Sequence, residues 1–144
     1  LELSRELKEE DWIIRTLNNT GDCHTKLKSY EDAIACFSEC LSLLNREDTF
    51  MYSVVTCNLG EVYFCNGQIQ EAKKNFELSK NNAILNNSKG IEITNMLFLS
   101  KCLSHEKNDD EALKLLKVAI NQIEAIPPKS KDIDFTENSN LFKL

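Results

Sequence analysis

Residues 17–43 read LNNTGDCHTKLKSYEDAIACFSECLSL, a pattern typical of two helices joined by a polar turn. Gly21 lies in the first segment, the turn follows at 28–30, and Phe37 comes four residues after Ala33 in the second segment. Residues four apart lie on the same helix face, so Ala33 and Phe37 should point together toward the first helix. The stretch therefore predicts a helical hairpin.

This hairpin pattern recurs twice further along the chain. Gly60 is followed by Ala72 and Phe76 in a second copy, and a looser third copy contains Ala112 and Leu116. The alanines of successive copies stand 39 and 40 residues apart, which identifies an internal repeat. A short hairpin cannot bury its apolar face alone and must stack on its neighbours. The sequence therefore predicts an all-α fold of three stacked hairpins.

The glycines of the repeat lie inside predicted helices, where each costs about 1 kcal/mol relative to alanine. A glycine at such a place indicates that another backbone passes close by. Ala72 takes the corresponding small-residue place on the second helix of its hairpin. We therefore expect Ala72 to be buried against the helix that carries Gly60.

The repeat resembles the tetratricopeptide repeat, in which Leu-Gly and an aromatic residue on one helix accompany Ala-x3-Phe on the next. The second copy matches this signature best, at Leu59, Gly60, Tyr63, Ala72 and Phe76. The third copy departs from it most, since Ser100 holds the glycine place and Leu103 the aromatic place. The resemblance covers residues 12–126. Repeats of this length are similar to those of kinesin light chains, Leu-Gly-Asn repeat scaffolds of the mitotic spindle, ciliary docking scaffolds and bacterial quorum-sensing regulators.

The resemblance implies a right-handed superhelical stack of antiparallel helix pairs whose first helices line a concave, peptide-binding groove. By the phase of the repeat, the groove candidates are Arg15, Asn18, Asn19, Asp22, Asn58, Glu61, Phe64, Phe98 and Lys101, with Lys26, Cys65, Leu97 and His105 beside them. In related long repeats, asparagines at the places of Asn19 and Asn58 hold the backbone of an extended peptide. An amide both donates and accepts hydrogen bonds, which suits a peptide group. Alternatively, these asparagines are solvated or bond a neighbouring repeat.

Two functions of different classes follow from this interpretation. The first is a non-catalytic protein–protein interaction module that binds a partner peptide or helix in the groove. The alternative is a structural spacer whose repeats stack on more of their own chain or on another subunit, as in cytoskeletal or ciliary assemblies. A contiguous polar and aromatic groove favours the first, and apolar residues exposed at both ends favour the second.

The predicted boundaries follow the helical pattern and the turn residues. Asp11 and Asp48 are acceptable N-caps for the first helices of two hairpins, with Trp12, Ile13 and Leu17 as the apolar stripe after Asp11. The predicted units are the end of a preceding repeat helix at 1–10, hairpins at 11–47, 48–86 and 87–126, and a tail at 127–144 that is either half-ordered or a cap. Because the chain begins at Leu1 without Met, we interpret it as part of a longer protein with further repeats upstream.

Composition and motifs exclude several classes of function. The chain has 144 residues and a net charge of −6, without a basic patch, which argues against nucleic acid as the main partner. No run of 18 apolar residues is present, so we expect no membrane insertion. Gly-rich phosphate loops, G-x-S-x-G and H-E-x-x-H motifs are also lacking, so we expect neither enzymatic activity nor a cofactor.

Six cysteines raise the question of disulfides or metal. None forms a C-x-x-C pair, and His24 lacks a partner at metal-ligand spacing. Small buried thiols in a reducing compartment explain the cysteines best, with a disulfide scaffold or a metal site at His24 as alternatives. We therefore predict a cytoplasmic protein, with association to the cytoskeleton or a cilium as an option.

Overall fold

The computed structural model describes residues 2–128, and every regular element in that range is a helix. The six helices are α1 Glu2–Lys26, α2 Tyr30–Leu43, α3 Thr49–Cys65, α4 Ile69–Leu85, α5 Lys89–His105 and α6 Asp109–Ala125. Each helix packs against the next one along the chain, and the first helices α1, α3 and α5 also contact one another in order. This confirms the predicted all-α stack of helix pairs. The predicted tail, apart from its two prolines, lies outside the described residues.

The beginning of α1 corrects the predicted boundary at residue 11. The helix is continuous from Glu2, so residues 2–10 belong to the first helix of the first hairpin and do not end an earlier one. Asp11 lies in the middle of the helix, where its carboxylate pairs with Arg15 at 2.9 Å. The reason is that a lone N-cap residue does not interrupt a run of helix-forming residues that contains neither glycine nor proline.

The apolar stripe of α1 also differs from the prediction. Ile14 and Gly21 are the buried residues of this helix, whereas the side chain of Trp12 is 71% exposed. Leu17 is partly buried and packs against the first core cluster. Trp12 therefore lies outside the buried face of α1. The opposing helix α2 reaches α1 only from about Ile14 onward, where the Cys40 thiol donates a hydrogen bond to the Ile14 carbonyl at 3.4 Å.

Four of the turns share one C-terminal helix motif. After α1, the Ser29 N–H donates to the His24 carbonyl at 2.9 Å, and the intervening Lys28 has a φ of 61°. The equivalent positive-φ residues in the other three turns are Gly67, Asn87 and Lys107. This is the Schellman arrangement, which satisfies the last carbonyls of a helix with a left-handed residue. Gly67 and Asn87 are residue types that commonly take this conformation, whereas Lys28 and Lys107 are not, so the sequence signals those two turns weakly.

Close packing within each hairpin depends on the glycine and the phenylalanine of the repeat. A Cβ atom at Gly21 would lie 2.7 Å from the ring of Phe37, so the ring itself occupies the space that a side chain would need. Phe37 and Ala33 are almost fully buried. The glycine therefore accommodates an aromatic ring of the partner helix, where the sequence predicted a passing backbone.

A buried polar chain connects the second and third hairpins. The Ser79 hydroxyl of α4 donates to the Ser53 carbonyl of α3 at 2.6 Å, and the Asn95 amide of α5 donates to the Ser79 oxygen at 2.7 Å. All three residues are fully buried. Because an unmatched polar group inside a protein is costly, this chain favours one alignment of α3, α4 and α5.

Candidate functional site

The candidate site lies on the layer formed by α1, α3 and α5. Its first element is a hydrogen bond between two predicted groove residues, in which the Asn58 amide donates to the Asn18 side-chain oxygen at 3.0 Å. Both side chains are half-buried, and Asn19 beside them is exposed. Asn58 is therefore shared with the neighbouring repeat, while Asn19 keeps its amide on the surface. The sequence suggested both roles for asparagines here but did not assign them.

Charged residues of three helices come together next to these asparagines. Lys26 and Asp22, one turn apart on α1, form an ion pair at 2.7 Å. Glu61 of α3 is half-buried beside them: burial raises the pKa of its carboxyl, the Asp22 carboxylate raises it further, and Lys101 of α5 and Lys26 oppose the rise. The structure therefore brings four of the predicted groove residues into one electrostatically coupled group.

Glu61 differs from the other members of this group in its lack of a partner. Lys26 neutralises Asp22, whereas among the described residues no donor forms a hydrogen bond or an ion pair with the Glu61 carboxylate. A partly desolvated carboxylate without a donor is unfavourable, since it has lost water without gaining a partner. The site therefore offers an acceptor to an incoming donor.

An aromatic edge follows at the C-terminal ends of α3 and α5. The rings of Phe64 and His105 meet edge to face, with 6.3 Å between their centroids. Phe64 remains half-exposed and therefore provides apolar surface beside Glu61. Cys65 is exposed at the same end of α3, and the pKa of its thiol is raised, first by burial and then by Glu61.

Phe98 corrects the predicted groove. It is buried, and its ring stacks on that of Phe76 with 4.8 Å between centroids and an interplanar angle of 2°. Lys101 covers the same ring, its ammonium lying 5.2 Å from the centroid. Phe98 is thus part of the second core cluster and cannot offer its face to a ligand. In the third repeat a buried ring takes the place that Asn19 and Asn58 hold in the first two.

Arg15 lies apart from the charged group. Its guanidinium pairs with Asp11 on the same exposed surface of α1, about two turns before Asp22. Exposed pairs of this kind contribute little to stability, so Arg15 is held only loosely. Of the predicted groove residues, Asn18 bonds Asn58, and Asp22 and Lys101 act on Glu61. Asn19 and Phe64 keep exposed surface on the same helices. Arg15 pairs with Asp11 instead, and Phe98 lies in the core beneath Lys101.

The described part of the chain has neither a metal-binding cluster nor a membrane-crossing helix. Residues 2–128 contain no cluster of three or more His, Cys, Asp or Glu side chains that could hold a metal ion. None of the six described helices combines the length and the apolar character needed to cross a membrane. All six cysteines are free thiols.

The comparisons with known proteins concern the first hairpin. Residues 14–43 match the family model described as Tetratricopeptide repeat, which spans the part of α1 that packs on α2 and the whole of α2. The chain matches no curated protein. Proteins of this family use such repeats to bind other proteins and are generally non-catalytic.

Proposed function

Because the chain is a tetratricopeptide repeat protein, we propose that it is a non-catalytic interaction module. In this proposal, the layer of α1, α3 and α5 forms the concave groove, which binds an extended peptide segment or a helix of a partner protein. We also propose that its repeats are of the long variety found in scaffolds such as kinesin light chains.

The single observation that carries the proposal is the unpaired Glu61 carboxylate. It is half-buried and within electrostatic reach of Asp22 on α1 and of Lys101 on α5, with the half-exposed Phe64 one turn further along α3. A donor from a ligand, such as a peptide N–H or a basic side chain, would compensate its partial desolvation. The two lysines balance the two carboxylates, so we expect a partner segment of mixed polarity with an apolar residue for Phe64.

Asn19 and Asn58 have unequal parts in this proposal. Asn19 is exposed and keeps both donor and acceptor for a ligand backbone. The Asn58 amide already donates to Asn18, so only its oxygen and second N–H remain for a ligand. We therefore assign the main backbone contact to Asn19 and a supporting one to Asn58.

A displayed library of random peptides selected against the full chain provides the test. Selected peptides are titrated by calorimetry against the parent and against Glu61→Gln, with Glu39→Gln, an exposed glutamate of α2, as the matched control. Loss of one charge-assisted hydrogen bond should weaken binding by about 1.5–3 kcal/mol in Glu61→Gln only. Peptides that bind all three proteins equally well would show that the groove is not their site.

A second candidate function has its own observation. Leu3, Leu7 and Trp12 on α1 and Leu113 and Ile120 on α6 are each at least half exposed, so apolar side chains are present at both ends of the stack. These ends would suit stacking on further repeats or on another subunit, as in a structural spacer. Association of the full chain that is abolished by Leu3→Ser with Leu7→Ser, and not by Glu61→Gln, would favour this function.

The place of the protein in the cell belongs to the same proposal. Free thiols on Cys40, Cys57 and Cys102 in the core agree with a reducing compartment. We therefore propose a cytoplasmic protein, acting as an adaptor or scaffold for protein partners and not for nucleic acid.

A further inference from the structure

Each hairpin has a charged residue at the same place of its first helix. Asp22, Glu61 and Lys101 stand 39 and 40 residues apart, and each directly follows the glycine or serine of its repeat. These three residues form a charged row across α1, α3 and α5, with two acids followed by one base. Asp22 is already paired with Lys26 at 2.7 Å. Glu61 and Lys101 are therefore the charges of the row that remain available to a ligand.

Glu61 and Lys101 lie beside each other on neighbouring helices. Phe64 follows Glu61 by three residues, His105 follows Lys101 by four, and the two rings meet with 6.3 Å between their centroids. Because residues three or four apart share a helix face, Glu61 and Lys101 lie on the same side of α3 and α5, one turn earlier. Lys101 is also within electrostatic reach of the Glu61 carboxylate. The acid and the base are therefore neighbours across the boundary between the second and third hairpins.

These two neighbours do not form an ion pair with each other. Within residues 2–128, neither the Glu61 carboxylate nor the Lys101 ammonium takes part in any ion pair. The Lys101 ammonium lies 5.2 Å from the centroid of the Phe98 ring, and its side chain is exposed. Contact with a ring face leaves the hydrogen-bond donors of an ammonium free for another group. Both residues can therefore bind a ligand of opposite charge without breaking an existing ion pair.

We propose that the partner segment carries a basic residue that pairs with Glu61 and an acidic residue that pairs with Lys101. This inference rests on the proposed function, because it specifies the ligand of the same groove. A segment with two basic residues would bring a like charge to Lys101, and one with two acidic residues would bring a like charge to Glu61. Only a pair of opposite charges in the correct order compensates both groups, so the groove selects its partner partly by repulsion of the others.

The packing of α3 against α5 limits the distance between the two charged residues of the partner. The two helices are in direct contact, and the axes of packed helices lie about 8–10 Å apart. Residues two apart in an extended chain face the same side and are separated by about 7 Å. Residues three or four apart on a helix also share a face, at about 5–6 Å. Since long charged side chains cover the remaining distance, we expect the basic and acidic residues about two to four positions apart.

Peptides selected from a displayed random library against the full chain provide the probe, and a thiol next to the charged row reports where they bind. Cys65 is exposed one turn after Glu61, so a peptide bound in the groove should shield it from a thiol reagent. Cys36 on α2 is partly exposed and lies outside the layer of α1, α3 and α5, so it serves as the control. We expect a saturating peptide to slow labelling of Cys65 about threefold or more and to leave the Cys36 rate unchanged.

Exchange of the two ligand charges then tests the inference itself. When the basic and the acidic residue of a selected peptide change places, each meets a like charge, so the parent should bind the exchanged peptide about tenfold or more weakly. This comparison needs no variant of the protein. Glu61→Lys with Lys101→Glu should reverse the preference and favour the exchanged peptide. Glu39→Lys with Lys74→Glu exchanges the charges of two exposed residues outside the groove and should keep the preference of the parent.

The two measurements separate this inference from the proposed function. Equal affinity of the parent for the original and the exchanged peptide would overturn the inference, and so would selected peptides without a pair of opposite charges. If such peptides still shield Cys65, binding in the groove stands and only the assigned ligand charges are wrong. Peptides that bind without shielding Cys65 would contradict the proposed function and the inference together.

Discussion

Gly60 lies directly beneath the ring of Phe76: a Cβ atom at this glycine would be 2.7 Å from two ring carbons. The first hairpin has the same arrangement between Gly21 and Phe37. In the third copy of the repeat, a serine replaces the glycine and Leu116 replaces the phenylalanine. The two positions thus change together within one chain, which agrees with a size match between them.

Gly60→Ala should test this match. Alanine is favoured over glycine inside a helix by about 1 kcal/mol. Overpacking costs about 1–3 kcal/mol, and the Phe76 ring cannot move away because it stacks on Phe98. We therefore expect Gly60→Ala to lower the free energy of unfolding, as measured by urea denaturation. In a Phe76→Leu background, the same change should be neutral or stabilising. A loss of equal size in both backgrounds would contradict the size match.

Ala72 tests the packing between the helices of the second hairpin. It is fully buried, as the sequence predicted, so Ala72→Leu should cost about 1–3 kcal/mol of unfolding free energy. Ala35→Leu at an exposed position of α2 provides the control and should stay within about 0.5 kcal/mol of the parent. Thermal melts of the two variants that coincide would disprove the proposed contribution of Ala72.

The bond between Asn58 and Asn18 predicts different effects for neighbouring asparagines. Asn58→Ala removes an interhelix hydrogen bond and should destabilise the fold by about 0.5–1.5 kcal/mol. Asn19→Ala removes an exposed amide and should change the unfolding free energy by less than about 0.5 kcal/mol. Chemical denaturation of both variants gives the comparison. An Asn19→Ala variant that is the less stable of the two would reverse the assigned roles.

Glu61 gives the fold a specific pH dependence. Because its pKa is raised in the folded chain, the folded state binds a proton more tightly than the unfolded state does. Its contribution to stability is therefore complete below the unfolded pKa and is lost as the pH rises through the folded value. Glu61→Gln cannot ionise, so it should be more stable relative to the parent at pH 7 than at pH 4. Parallel urea titrations at the two pH values measure this, and an unchanged difference would argue against a desolvated carboxylate.

Thiol labelling distinguishes exposed from core cysteines. Cys23 and Cys65 are exposed and should react first with an aromatic disulfide reagent at pH 8. Burial raises the pKa of Cys57 to about 12 and that of Cys40 to about 11, so little reactive thiolate forms there. Together with Cys102, these thiols should react only after addition of denaturant. Fast reaction of Cys57 in the native chain would show that α3 packs differently from the arrangement in the structure.

The repeat pattern predicted the helical character of the chain and the buried alanines and phenylalanines of the hairpins. These features depend on local spacing, because residues four apart share a helix face whatever surrounds them. The N-cap at Asp48 could also be predicted, because capping involves only residues close together in the chain. Its carboxylate accepts a hydrogen bond from the Met51 N–H at 3.0 Å.

Relations between helices depended on the tertiary structure. The phase of the repeat predicted Phe98 as a groove residue, but in the structure its ring stacks on that of Phe76 in the core. The phase of the repeat also could not show that the Asn58 side chain donates a hydrogen bond to Asn18 instead of remaining available to a ligand. Such contacts are decided by the rotation and offset of one helix against another. A sequence read along one helix at a time contains neither the rotation nor the offset between helices. The sequence by itself therefore determined the hairpins, and the folded stack decided which of their polar side chains remain available to a partner.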